Sequence, residues 1–289
     1  MSFTPTNAAP KRPKALLFDI GGVCVVSPFQ AILDYERAHG IPVGWVNTAI
    51  SASAPAGAWQ RVERGEVALD DAFFARFAAD LANPDIWPAY WRKSAGKEDG
   101  GEVPPPPPPP RIDAKALFWE MMRVSRTADP WMWPALARLR SEGRRAGWVL
   151  GALSNTVVFP EGVRDDKGVV FESGLRVGEG GEKGDVKDAF DVFVSSAHVG
   201  LRKPDPEIYR MAVRLLDEEA RKRGIEGGVE AGDVLFLDDI GQNLRAAREL
   251  GMGTLKVELG KSWKAVRELE KIMGIKLLEG DVPGEKAKL

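Results

Sequence analysis

The chain has one cysteine and two histidines in 289 residues. A single cysteine excludes an intrachain disulfide and fits a reducing interior. So few Cys and His also exclude a zinc site of the usual kind. No apolar run approaches the roughly 20 residues that would span a bilayer, so no membrane partner is expected. Charge of one sign is lacking too. Lys plus Arg is 40 and Asp plus Glu is 42, which gives no basic face for nucleic acid. Met1 to Lys14 is polar and Pro-rich without the apolar core of a signal peptide, and a cytoplasmic protein is expected. There is no internal repeat. The length suffices for one large domain or two ordinary ones.

What is present begins at Asp19. It closes the apolar run Ala15-Leu16-Leu17-Phe18 and opens onto Gly21-Gly22-Val23. Such a run reads as a buried strand. The paired glycines allow a sharp turn and a close approach of backbone to a ligand. A carboxylate at the carboxyl end of such a strand sits where open α/β sheets bind ligands. Three further stations follow in order: Leu153-Ser154-Asn155, Gly200-Leu201-Arg202-Lys203-Pro204-Asp205 and Phe236-Leu237-Asp238-Asp239. Together they offer a nucleophile, a hydroxyl, a cation and a carboxylate pair.

Strands are predicted at 14–19, 148–153, 192–195, 234–237 and 254–257, with helices at 207–223 and 243–250 between them. This alternation implies a parallel sheet covered on both faces. Residues 27–128 break it, being helix-like throughout. Ser27-Pro28 offers an N-cap with Pro at the first helical position, for a helix running to His39-Gly40. Residues 70–81 and 114–126 read as amphipathic helices. Pro104 to Pro110, preceded by Lys97-Glu98-Asp99-Gly100-Gly101, predicts a solvated polyproline spacer; a dock for a proline-binding domain is the alternative. Pro160 to Lys187, rich in Gly and charge, lacks the ending of a phosphate loop and reads as an insertion.

The four stations in this order, with a helical block after the first, resemble the haloacid dehalogenase-like (HAD-like) hydrolases. Within them they look most like the phosphatases similar to the N-terminal domain of soluble epoxide hydrolase. The resemblance covers residues 14–258. It implies a Rossmann-like α/β core with a parallel sheet, made of residues 14–27 and 129–275, and a helical cap at 28–128 that includes the proline run. Residues 1–13 and 279–289 would be flexible tails. The activity implied is Mg²⁺-dependent hydrolysis of a small phosphorylated substrate through an aspartyl-phosphate. Asp19 would be the nucleophile. Lys203 would bind the phosphoryl group and the nucleophile. Ser154 and Asn155 would hold phosphate oxygens, with Asn155 alternatively placing the leaving group. Mg²⁺ would be held by Asp19, the Gly21 carbonyl and Asp239, with Asp238 acting through water or orienting the set. Three converging carboxylates call for a cation, and hard oxygens suit Mg²⁺.

One position departs from the pattern. HAD-like phosphatases usually carry an Asp two residues after the nucleophile, as proton donor to the leaving group; here that position is Gly21. Some active phosphatases of this kind have Gly there. Three readings follow: a restriction to good leaving groups, a donor from elsewhere such as the cap, or a non-catalytic module that binds a phosphorylated ligand or protein. Haloacid dehalogenase chemistry is a further rival, opposed by the Asp238-Asp239 pair.

Other residues have plainer readings. Cys24 is expected as a small buried packing residue, and Arg202 as a solvent-facing one. His198 is structural or approaches the site. Asn243 bridges metal waters or caps a helix. His39 suits a helix C-terminus. Most of Trp45, Trp59, Trp87, Trp91, Trp119, Trp131 and Trp133 belong to core, with one or two lining a pocket. The terminal Ala287-Lys288-Leu289 resembles the peroxisomal address, which makes an import receptor a possible partner and the peroxisome an alternative location. Substrate identity and oligomeric state are not legible.

Overall fold

The computed structural model describes residues 12–95, 104–171, 176–177 and 184–279. Of the two tails, residues 1–11 and 280–289, with Ala287-Lys288-Leu289, lie outside the described residues, as does the Lys97 to Gly101 stretch.

The chain opens with β1 (Ala15–Phe18). Six helices follow: α1 (Pro28–Ala38), α2 (Trp45–Ala52), α3 (Ala58–Glu63), α4 (Asp71–Leu81), α5 (Trp87–Ala95) and α6 (Ala114–Val124). Then come α7 (Met132–Ala146), β2 (Val149–Ser154), a short antiparallel pair β3 (Arg176–Val177) and β4 (Gly184–Asp185), and β5 (Val192–Ser195). The last elements are α8 (Ser196–Val199), α9 (Pro206–Lys222), β6 (Val234–Asp238), α10 (Gly241–Glu249), β7 (Gly253–Lys256) and α11 (Ser262–Met273). The five expected strands form one parallel sheet in the order β5-β2-β1-β6-β7.

The sheet lies between two helical layers because both faces of its inner strands are apolar. Leu16, Phe18, Leu150, Ala152, Leu235 and Leu237 join the core formed with α7 and α11. The alternate residues Leu17, Val149, Leu153 and Phe236 join the core formed with α9 and α10. A period of two along each strand produces this division. Gly151 lets α9 come close: a Cβ there would stand 2.8 Å from Leu216 Cδ2 and 3.0 Å from Leu17 Cδ1.

Helices α1 to α6 have a core of their own, centred on Trp45, Phe73, Phe77, Leu117, Phe118 and Trp119. Three of their N-termini carry side-chain caps, the one at Ser27 as the sequence suggests. Ser27 accepts from Phe29 N, Asp70 from Phe73 N and Asp113 from Ala116 N. Replacing one such cap by Ala costs about 1 kcal/mol. No helix among the described residues is long and apolar enough to cross a membrane.

Two loops make contacts beyond those expected. The proline run is exposed over residues 104–108, as a solvated spacer should be, yet it is tethered. Trp87 Nε1 donates to Pro107 O at 2.6 Å and Trp91 Nε1 to Pro104 O at 3.2 Å. Carbonyls of a polyproline helix have no partners within that helix, so they are open to outside donors. The 160–187 stretch is likewise more than a bystander. Phe171 packs on Trp119 with ring centroids 4.9 Å apart, and Arg123 pairs with Asp165 and Asp166.

Candidate active site

Strand register brings the first and last stations together. Phe18 pairs with Leu237, and Asp19 N donates to Leu237 O at 2.8 Å, so Asp19 and Asp238 leave adjacent strands side by side. Ser154 ends β2 on the other flank of β1, level with Ser195 at the end of β5. All of these lie at the carboxyl edge of the sheet, where such folds place ligands.

Lys203 ties the cluster together. Its ammonium lies 2.8 Å from Asp19 Oδ1 and 2.8 Å from Asp238 Oδ2, and the side chain is 1% exposed. Asn155 holds this lysine from behind. Lys203 N donates to Asn155 Oδ1 at 2.8 Å, and Asn155 Nδ2 donates to Lys203 O at 3.2 Å. Asp238 is fully buried and saturated. Besides Lys203 it accepts from Ile240 N at 2.7 Å and, through both oxygens, from Asn243 Nδ2. Asn243 does not cap α10, whose N-cap is Ile240; its amide bonds Asp238 instead.

Asp239 differs from its neighbour. Its Oδ1 is buried without a hydrogen-bond partner. One carboxylate oxygen from each of Asp19, Asp238 and Asp239 lies within 4.8 Å of the others. Burial, with Asp238 and Asp239 nearby, pushes the Asp19 carboxyl up to about 8 against the pull of Lys203. Burial and Asp238 push Asp239 to about 7. Burial acts to lower the Lys203 ammonium, but Asp19 and Asp238 outweigh it and hold it above its usual range. Three carboxylates thus face one cation in a dry site, and one carboxylate oxygen is orphaned. A buried unpaired polar atom costs about 1–3 kcal/mol. This all-oxygen, charge-deficient set fits a hard divalent cation such as Mg²⁺.

The turn after Asp19 is built for close approach. Gly22 has φ 78°, and a Cβ there would lie 2.6 Å from Asp239 Oδ2, so only glycine fits. Gly21 is not among the positive-φ glycines, and a Cβ there would meet only the Pro28 ring, at 3.3 Å. Cys24 is buried as expected and its thiol donates to Asp19 O at 3.3 Å. Burial, then Asp19, pushes that thiol well above its ordinary range, which makes it unreactive.

A cavity of about 440 Å³ opens in front of Gly21, Ser154 and Asn155. Its other walls include Trp59 and Glu63 from α3, Met122 from α6, and Phe159 and Phe171 from the 159–171 loop. His198 also lines it, with Nδ1 2.7 Å from Ser195 Oγ, which in turn lies 2.6 Å from Thr156 Oγ1. Arg202, expected in solvent, instead pairs with buried Glu63 at 2.7 Å. The sequence offered no local signal for Glu63, because its partner Arg202 lies 139 residues away in the chain.

The strand order and the geometry of the four stations resemble those expected of HAD-like hydrolases. No family model matches the chain. It is similar to bifunctional epoxide hydrolase 2 of Rattus norvegicus, 35% identical over 268 residues, which is 92% of this chain and 40% of the relative. It is also similar to acyl-CoA dehydrogenase family member 10 of Mus musculus, 24% identical over 274 residues, or 94% of this chain and 20% of the relative. The chain therefore spans less than half the length of either. A predicted HAD-like family hydrolase from Porphyromonas gingivalis aligns over 90% of this chain and 98% of its own, at 17% identity and TM-score 0.47.

Proposed function

We propose that the chain is a Mg²⁺-dependent phosphatase that hydrolyses a small phosphorylated substrate through an aspartyl-phosphate on Asp19. The observation that carries this reading is the convergence of Asp19, Lys203, Asp238 and Asp239 at one edge of the sheet. Asp19 is held by Lys203 and by Ile20 N, both on Oδ1. That fixes the carboxylate and leaves Oδ2 as the oxygen we assign to attack phosphorus. The bond to the leaving oxygen breaks as the new bond forms. Water then attacks the acyl phosphate, releases inorganic phosphate and restores Asp19.

Lys203 offsets the charge that builds on the phosphoryl oxygens and on Asp19. Ser154 and the backbone after it hold those oxygens. Asn155 acts by fixing the Lys203 backbone, and Asp238 with Asn243 fixes the Lys203 ammonium. Asp19, Asp239 and the Gly21 carbonyl would hold Mg²⁺, with Asp238 orienting them. When bound it supplies the positive charge that this cluster lacks. Helices α1 to α6, as a cap over residues 28–128, would enclose the organic part of the substrate against Trp59, Met122 and Phe159.

Gly21 favours a second reading, a module that binds a phosphorylated ligand without turnover. Hydrolysis of p-nitrophenyl phosphate with Mg²⁺ and with EDTA separates the two. Turnover that needs Mg²⁺ and is lost in Asp19→Asn is expected. Metal-independent release of halide from 2-chloropropionate would instead make it a dehalogenase.

A further inference from the structure

The aromatic face of α5 already has an occupant, and that occupant has a specific shape. Trp87 and Trp91 are one helical turn apart and project from one side of the helix. Their indole N–H groups reach the carbonyls of Pro107 and Pro104. A polyproline helix has three residues per turn, so positions 104 and 107 present their carbonyls along one edge, about 9 Å apart. The higher-numbered indole takes the lower-numbered proline. The run therefore lies antiparallel to α5, and its threefold repeat meets the helix repeat at two points.

The receiving face is rigid. Trp87 is 3% exposed and meets the edge of Trp45 at a centroid distance of 4.7 Å. Tyr90 stacks on Trp87 at 6.3 Å and 24°, and its hydroxyl donates to Val43 O at 2.6 Å. Trp91 stands 5.6 Å from Trp87. Ridges of aromatic rings with indole donors between them are what proline-reading grooves consist of. A face whose rings are held by other contacts costs little to organise when a ligand arrives. None of Trp87, Tyr90, Trp91 or the prolines lines the cavity at the sheet edge.

We propose that the Trp87-Tyr90-Trp91 face is a binding site for a left-handed polyproline helix, filled by the chain's own Pro104 to Pro107. The ligand class is a run of at least four prolines, and a proline-rich segment of another chain enters by displacing the internal one. An internal ligand on a short connection competes at an effective concentration of roughly millimolar. The site is thereby closed to weak outside ligands and open to strong or multivalent ones.

The test uses the full chain and a capped heptaproline peptide, read by indole fluorescence. In a variant with Pro104→Gly, Pro105→Ser, Pro106→Gly and Pro107→Ser, the internal run loses its preset conformation. That variant should bind the peptide saturably, at least tenfold tighter than the natural chain, and Trp91→Phe added to it should abolish binding. Absence of binding in the folded variant would overturn the proposal, as would equal binding by both chains. If the Gly/Ser variant does not fold, the natural run is kept and Trp87→Phe and Trp91→Phe are combined. Freed from its indoles, the run should then bind an isolated WW domain at least tenfold tighter than in the natural chain, and unchanged WW binding would overturn the proposal.

Discussion

Glu63 and Arg202 join the helical block to the loop that carries Lys203. Glu63 Oε2 accepts from Arg202 Nε at 2.8 Å and from Nη2 at 2.7 Å, and the two side chains are 8% and 22% exposed. Arg202 precedes Lys203 in the chain, so this pair anchors the residue next to the lysine while Asn155 holds the Lys203 backbone. Burial raises the Glu63 carboxyl, with Arg202 pulling the other way.

Removing the arginine should therefore hurt more than removing the acid. Arg202→Met leaves a buried carboxylate without its cation, a loss of about 3–5 kcal/mol. Glu63→Gln leaves a partly exposed guanidinium and should cost less. In Arg202→Met the folded carboxyl takes up a proton above the pH at which the unfolded one does, so stability should fall as pH rises from 5 to 7.5. Urea midpoints at the two pH values measure this; equal costs for both variants would refute the asymmetry.

Asp19→Asn should separate stability from activity. Turnover should drop roughly 10³-fold or more, as for loss of a nucleophile. The fold should gain, because one of three crowded carboxylates becomes neutral. Without divalent ions at pH 8, the variant's melting temperature is expected at or above that of the natural chain, by calorimetry.

Metal binding should stabilise the protein in a pH-dependent way. Asp19 and Asp239, raised to about 8 and about 7, bind protons in the folded state that their unfolded forms have released. Stability without a cation therefore falls as pH rises through 4 to 8. A dication at 100 times its Kd adds about 2.7 kcal/mol. The gain in melting temperature on adding Mg²⁺ should be several degrees at pH 8 and smaller at pH 6. Asp239→Ala should remove most of it, more than Asp238→Ala does, since Asp239 holds the unpartnered oxygen.

Gly21→Asp tests the missing proton donor. Its backbone is not in the positive-φ region, and a Cβ there meets only the Pro28 ring, which must give by a few tenths of an ångström. In the natural chain, rates should fall steeply as the leaving-group pKa rises, with aryl phosphates ahead of alkyl ones. The variant should raise alkyl-ester turnover by more than aryl-ester turnover, toward the roughly 10²–10⁴-fold that acid–base assistance supplies. A flat dependence in the natural chain would point to another donor, with His198 in the cavity wall as the next residue to change.

Much of this was legible in the sequence because it is local. Apolar runs announced all five parallel strands, and Ser27-Pro28 announced the start of α1. Asp19 and Asp238 could be placed because strand ends are marked by where the apolar run stops. The rest depends on partners brought from afar. Nothing near Asn155 says that its amide will grip the Lys203 backbone, and nothing near Arg202 says that it will turn inward to Glu63. The prolines read as a spacer because composition reports stiffness and solvation. It is silent about two indoles arriving from an earlier helix. The 160–187 stretch read as an insertion; its Phe171, like Phe159 just before it, packs on Trp119 and forms cavity wall.

The central place of β1 has a consequence for how the protein is made. Both of its neighbours in the sheet come later: β2 after the six helices, β6 near the end. During synthesis the first strand emerges with two unpaired edges and an apolar face on each side, and waits. Such a segment invites wrong pairing. The helical block, which has a core of its own, can collapse meanwhile without it. Asp19 meets Asp238 only when β6 docks, so a ribosome-released fragment ending before Val234 would be neither stable nor charged in the way the finished site is.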